Sequence, residues 1–408
     1  MVLSALSFVY ESKKSEIASL QQLLQLGRLV GAISHMVHML QRERGTANIY
    51  LCSHRQMGGE QLSERALQVQ TAEDSMNQLL TSSEFVRQNI VNAARLFSRI
   101  AMVLHSLGTL PLLRQQVQAL SISQPEAMKQ YNDVIRAHLA LVFETADISS
   151  DPLISRALLA LCSFMQGKEL AGQERATAAA GFAARQFDES THLQLMDLID
   201  SQDRCFQTFK EFADSPCRLV WQQQMSQQSS DFERYRRIAC TRLSVDEGGS
   251  DMALRWFDIA TARMDGMKIV ENELEEALMT CCRQRISEAQ ASLALQQQSV
   301  EHLPQPEEHY PALLPAQLSR SVLELVEQQS RQLQALDTEL ARLRVTLAER
   351  KLVERAKSVL IQQHGFTEPQ AHKTLREMAM NQNKKLSEVA EAMLAVSAVL
   401  NNESKAGP

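Results

Sequence analysis

The stretch WFDIATARMDGMKIVENELEEAL, residues 256–278, decides the fold class. Trp256, Ile259, Ala260, Met264 and Met267 recur at helical spacing, which lays one apolar stripe along one side of a helix. The helix-compatible run around them extends from Asp251 to Leu295. Ser15–Leu51 repeats the rhythm with Ile33, Val37 and Leu40, and Phe85–Leu107, Pro125–Ile148 and His192–Phe212 are helix-compatible as well. Breaks fall at Pro111, Pro125, Pro152, Pro216 and the loop VDEGGS at 245–250. Composition agrees: among 408 residues there are only 14 Gly and 10 Pro, and aromatics make up 5%, so the residues that sheets favour are sparse. The expectation is an all-α protein. Long helices with short connections pack as antiparallel bundles, so residues 1–300 should form two four-helix bundles or one elongated double bundle.

Four of the ten prolines lie in EHLPQPEEHYPALLP, which makes 301–315 a semi-rigid linker. Beyond it, Leu333, Leu336, Leu340, Leu343 and Leu347 are spaced three, four, three, four, the seam of a coiled coil over 316–348. Leu318, Val322 and Leu325 keep the rhythm out of phase, as after a four-residue insertion. Such a seam suggests a homodimer. The tail, 349–408, divides into three short helices. Glu349–His364 is stopped by Gly365, a second helix opens at Thr367 with Pro369 in its first turn, and a polar loop Asn381–Lys385 leads to Val389–Leu400.

The net charge of −6 is uneven. Residues 316–408 carry 13 Lys and Arg against 11 Asp and Glu, and residues 1–315 carry 29 against 37. A polyanion would therefore meet the C-terminal end. The seven cysteines form no CxxC, and the pair Cys281–Cys282 within a helix reads as one buried and one less buried thiol, which suits a reducing cytoplasm. His35 and His38 share a helix face without Cys or carboxylate partners, so no metal is expected. There is no phosphate-binding glycine loop and no nucleophile elbow, which argues against an enzyme, and no resident cofactor is expected. No signal peptide is evident and no apolar run approaches the roughly 18 residues of a membrane span. The expectation is a cytoplasmic protein without membrane contact.

Two arginine motifs stand out: Gln41-Arg42-Glu43-Arg44-Gly45-Thr46-Ala47 and Gly172-Gln173-Glu174-Arg175-Ala176-Thr177-Ala178. Each arginine could pair with a local glutamate. Alternatively Arg44 and Arg175 face each other from pseudo-symmetric positions around a small planar oxyanion, whose oxygens match guanidinium forks. Arg42, and Arg236 of the FERYRR cluster, are candidates to complete the cage. In the tail Arg350, Lys351, Arg355, Lys357, Lys373, Arg376, Lys384 and Lys385 recur within 36 residues. They form either a solvated face or a phosphate-contacting surface, with Gln362, Gln363, Asn381 and Asn383 available to bases.

The tail ERKLVERAKSVLIQQHGFTEPQAHKTLREMAMNQNKKLSEVAEAML resembles the ANTAR domain, an RNA-binding antiterminator module of three helices. Carrying the likeness are Glu354-Arg355-Ala356-Lys357, Leu360, Gly365-Phe366, Ala371, Leu375-Arg376, Ala379, Leu386 and Val389-Ala390, whereas Ser358 and His372 depart from it. QRERGTA, GQERATA and the opening stretch resemble the NIT domain, a helical nitrate- and nitrite-sensing module. Together they resemble nitrate-responsive antiterminators. The resemblance implies that nitrate or nitrite binds between two bundles and frees the C-terminal module for a leader-RNA hairpin. RNA polymerase then reads through a terminator upstream of nitrate-assimilation genes. Arg44, Arg175, Arg42 and Arg236 become the anion candidates. Lys357, Arg376, Lys384, Lys385, Arg355 and Lys373 become the RNA candidates. Rival readings are a ligand-regulated DNA-binding transcription factor and a helical signalling scaffold.

Overall fold

The computed structural model describes residues 5–82, 93–227, 230–241, 249–301, 314–366, 368–382 and 384–403. Every regular element among them is a helix. In chain order these are α1 (Ala5–Cys52), α2 (Gly59–Thr81), α3 (Ala93–Leu107), α4 (Leu110–Ala119), α5 (Gln124–Ile148), α6 (Pro152–Ala184) and α7 (Glu189–Phe212), followed by α8 (Ser215–Ser226), α9 (Ser230–Thr241), α10 (Gly249–Glu301), α11 (Leu314–His364), α12 (Glu368–Gln382) and α13 (Leu386–Glu403).

The prolines that punctuate the sequence open helices. Pro111, Pro125, Pro152 and Pro216 sit in first turns, where the missing N–H costs nothing. Ser123, Asp151 and Asp214 cap three of those helices through their side chains. One bundle packs α2 and α5 on the N-terminal helix α1, with α3 against α5; a second gathers α7, α8 and α9 around α6 and α10. Contacts of α1 with α6 and α10 join the two. From Leu158 to Ala176 every residue of α6 is buried, so the polar side chains of that segment must find partners inside the protein.

Four expectations need correction. Ala94–Ala119 has the length and mean hydropathy, 1.4, of a membrane span. A break at Gly108–Thr109 divides it into α3 and α4, and Leu96, Ile100, Val103, Leu113 and Val117 enter the core. The coiled-coil segment and the first tail helix are one helix, α11, because no Gly or Pro occurs between Pro315 and Gly365. Leu340, Leu343 and Leu347 are buried within the chain itself, the last two in the core of the sensor bundles. Thus packed, they cannot also form a seam with a second copy. Finally, Asn381 belongs to α12 rather than to a loop. Residues 302–313, most of the expected linker, lie outside the described residues, as do Thr367 and Asn383, and the side chains of Leu318, Val322, Leu325, Leu333 and Gln362.

The tail has a core of its own: Ala356, Leu360, Ala371, Leu375, Ala379, Val389 and Ala390. With Phe366 and Leu386 packed against it, most of the residues that carry the ANTAR resemblance are its packing residues. Gly365 ends α11 with φ +66°, a left-handed conformation that favours glycine.

Two buried histidines set an acid limit. Burial, reinforced by Lys168, Lys268, Arg42 and His35, pushes His38 down to about 2, and burial pushes His138 down to about 4. Both are neutral in the native state and protonate in the unfolded chain below about 6.5. The unfolded state then binds more protons, so stability falls as pH drops. The loss should reach about 1.4 kcal/mol per pH unit for each histidine between pH 6 and 4. Urea melts across that window should show it, and His138→Gln should flatten the slope; an unchanged slope in that variant would remove His138 from the account.

Candidate anion site and nucleic-acid interface

The two arginine motifs meet where α1, α5, α6 and α10 converge. Arg44 is 1% exposed and Arg175 2%. A Cβ on Gly45 would come within 2.6 Å of Arg175 Nη2, and one on Gly172 would collide with Arg44 Nη2. Each guanidinium thus lies against the glycine beside the other motif, and the small residues of both are explained. Alanine at either glycine would push an arginine terminus aside.

The two arginines have different partners. Arg44 donates to Glu169 Oε1 (2.5 Å) and Oε2 (3.2 Å) and to Asn132 Oδ1 (2.5 Å). Arg175 donates to Thr261 Oγ1 (2.8 Å) and to the Gln41 carbonyl (2.9 Å) and stacks on Phe257, 4.8 Å from the ring centroid. None of these Arg175 partners carries a charge. Burial first, then the Arg44 charge, pushes Arg175 down to about 9. Nε of both arginines is buried without a hydrogen-bond partner. The half-buried Arg42 adds positive potential at Arg175.

Arg236 is not aimed at this pair. Its Nε and Nη2 hold the two oxygens of Glu174 at 2.7 and 3.0 Å. Arg114, with the Tyr131 hydroxyl, holds Glu43 in the corresponding way. So in both motifs the glutamate is tied to an arginine of its own bundle, and the following arginine turns toward the other motif. Arg236 neutralises a buried carboxylate and thereby fixes the motif; Arg234 pairs with Asp231 on the surface. Sequence reasoning missed Glu169, Gln41, Gln173, Asn132, Thr261 and Arg114, each of which lies on another helix or a turn away. Beside the site, Lys168 and Glu271 form an ion pair at 2.7 Å, both fully buried, which Lys268 also joins. Among the described residues no three His, Cys, Asp or Glu side chains gather as a metal site would need, and His38 stands 4.0 Å from Asp265.

Several basic residues of the tail face the sensor. Arg350 reaches Ser163 and Cys205, and Lys351 reaches Asp147 (2.9 Å) and Glu144 (3.5 Å). Arg376 pairs with Asp200 of α7 at 3.3 Å, and His372 meets Arg204 at 2.6 Å. Lys357, only 7% exposed, pairs with Glu354 at 2.7 Å. With Lys385 it lines a cleft of about 470 Å³ between α7 and α11. Lys373 and Arg376 lower the pKa of Asp197 on α7, although burial outweighs them and leaves it raised. Arg355 lines a different cleft, of about 800 Å³, with Arg95, Arg99 and Arg136, and Lys384 is exposed. Four of the six RNA candidates are thus gathered toward α7, and Arg355 and Lys384 are not.

Residues 35–279 match the family model described as nitrate and nitrite sensing, and residues 341–394 match the ANTAR domain. The chain belongs to the nitrate- and nitrite-sensing family. A nitrate regulatory protein of Klebsiella oxytoca is 38% identical over 389 residues, covering 95% of this chain and 94% of that protein. A solved structure of the NasR transcription antiterminator superposes with a TM-score of 0.64 at 37% identity, covering 96% of this chain and 99% of that one. The transcriptional regulatory protein PdtaR of Mycobacterium tuberculosis is 43% identical over 72 residues, 18% of this chain and 35% of its own length. The sensing match takes in both arginine motifs, and the ANTAR match takes in α12 and the end of α11, where the basic residues lie.

Proposed function

We propose that this chain is a nitrate- or nitrite-responsive antiterminator of the cytoplasm, in which Arg44 and Arg175 hold the anion and the docked tail is the resting, RNA-excluding form. The observation that carries the reading is the charge imbalance at the motif junction. Two buried guanidiniums lie together and only Arg44 has a buried carboxylate partner, Glu169, and a buried charge without compensation is strongly unfavourable. One small planar monoanion supplies the missing charge and has acceptors for the free Nε atoms. Arg42 contributes potential from the rim.

Docking of the tail supports occlusion. Arg350, Lys351 and Arg376 are engaged with sensor side chains, and Lys357 lies in the cleft against α7. Those charges cannot contact phosphates at the same time. An anion that binds the released state more tightly than the docked one shifts the chain toward release. Ser163, Gln166, Glu169 and Gln173 share one side of α6. Ser163 meets Arg350, Gln166 lines both clefts against α11, and Glu169 meets Arg44. A change at Arg44 therefore reaches the tail along one helix face. The freed module then takes a leader-RNA hairpin, its effect on RNA polymerase being indirect. Released α11 leucines would be free to form the homodimer seam.

Nitrate and nitrite should raise the melting temperature, and chloride at equal ionic strength should not. A hundredfold excess over Kd adds about 2.7 kcal/mol by mass action. Equal melting temperatures in saturating nitrate and in chloride would sink the reading.

A further inference from the structure

We infer that Glu169 is a tethered counter-ion that holds the Nη side of Arg44, so that a sensed anion must enter against a resident planar carboxylate. The inference rests on the anion-sensing reading above. Glu169 is 3% exposed and its carboxylate is fully coordinated. Oε1 accepts from Arg44 Nη1 (2.5 Å) and Gln173 Nε2 (2.9 Å). Oε2 accepts from Arg44 Nη2 (3.2 Å) and Gln41 Nε2 (2.9 Å). Four N–H donors converge on a planar group with two equivalent oxygens, which is also the shape and charge of nitrite and most of the shape of nitrate.

The cage comes from both motifs. Gln41 and Arg44 belong to the first motif and Gln173 to the second, while the Gln41 carbonyl accepts from Arg175. The protein's own carboxylate thus fills a site assembled from the two halves of the sensor. Glu169 makes the empty sensor cheaper to bury, because it neutralises Arg44. It also sets a threshold, because any anion that approaches Arg44 must compete with it or bind beside a like charge. A purely structural glutamate would have no such effect: removing it would loosen Arg44 and weaken binding. A competitor makes the opposite forecast.

The test is nitrate titration calorimetry on the full chain, paired with melting in chloride. Glu169→Gln keeps the shape and removes the charge. It should bind nitrate at least tenfold more tightly than wild type, and chloride should raise its melting temperature although it leaves wild type unmoved. Glu169→Asp, which keeps the charge on a shorter stem, should tighten nitrate binding by a smaller factor and serves if the glutamine variant does not fold. Unchanged or weaker nitrate binding in the folded variants would overturn the proposal while leaving the sensing reading intact. Absence of any nitrate effect in wild type would overturn both.

Discussion

Arg44→Ala should lose about 3–5 kcal/mol of stability, the usual cost of stranding one partner of a buried ion pair. Arg175→Met should lose less, and neither variant should respond to nitrate. The asymmetry follows from their partners. Without Arg44 the Glu169 carboxylate stays buried with only the two glutamine side chains as donors. Arg175 has no carboxylate to strand. Its removal forfeits two charge-assisted hydrogen bonds, to Thr261 and the Gln41 carbonyl, each worth about 1.5–3 kcal/mol, and its stack on Phe257. Against this, a buried charge that already lies close to another guanidinium disappears, and methionine refills most of the volume. Denaturant melts and nitrate titrations of both variants separate the two effects. Equal destabilisation would mean that Arg175 has a counter-charge of its own. A wild-type nitrate response in either variant would remove that arginine from the ligand set.

What the sequence disclosed was what depends on one segment at a time. The stripe from Trp256 to Met267 and the prolines in first turns act within a few residues of themselves, and the all-α class follows from them; the small residues of the two motifs could be seen, but not that each lies against the arginine of the other motif. The leucine rhythm of 340–347 was legible too, but not its partner: an apolar stripe specifies burial without saying against what, and here the sensor core takes it. The pairings of the site were hidden for the same reason. Glu43 could have closed on Arg44 or Arg42 by sequence, yet it closes on Arg114, 71 residues away. Glu169 carries no motif at all, and only the crossing of α1 over α6 gives it meaning. By sequence Arg236 is a cage candidate only as part of the basic cluster FERYRR; its geometry is that of a clamp on Glu174.

The fragment 316–408 should bind the leader hairpin without nitrate, at least tenfold more tightly than the nitrate-free full chain. It has what it needs to fold alone, since Ala356, Leu360, Ala371, Leu375, Val389 and Ala390 form a core separate from that of the sensor. Cutting away the sensor frees Arg350, Lys351 and Arg376 from Ser163, Asp147 and Asp200 and opens the cleft over Lys357. The size of the gain measures the docking equilibrium: if about 1% of the resting chain is undocked, the full chain binds about a hundredfold more weakly than the fragment. The same fragment exposes Leu340, Leu343 and Leu347, so it should self-associate in sedimentation even if the resting full chain does not. Within the fragment, Lys357→Ala and Arg376→Ala should each weaken specific and scrambled hairpins alike and reduce the slope of log K against log salt by about 0.7. In the full chain Asp200→Lys should give part of the same gain by repelling Arg376 from α7. A fragment that ignores the hairpin, while nitrate-loaded full chain binds it, would show that the sensor contributes contacts to the RNA rather than covering the surface that makes them.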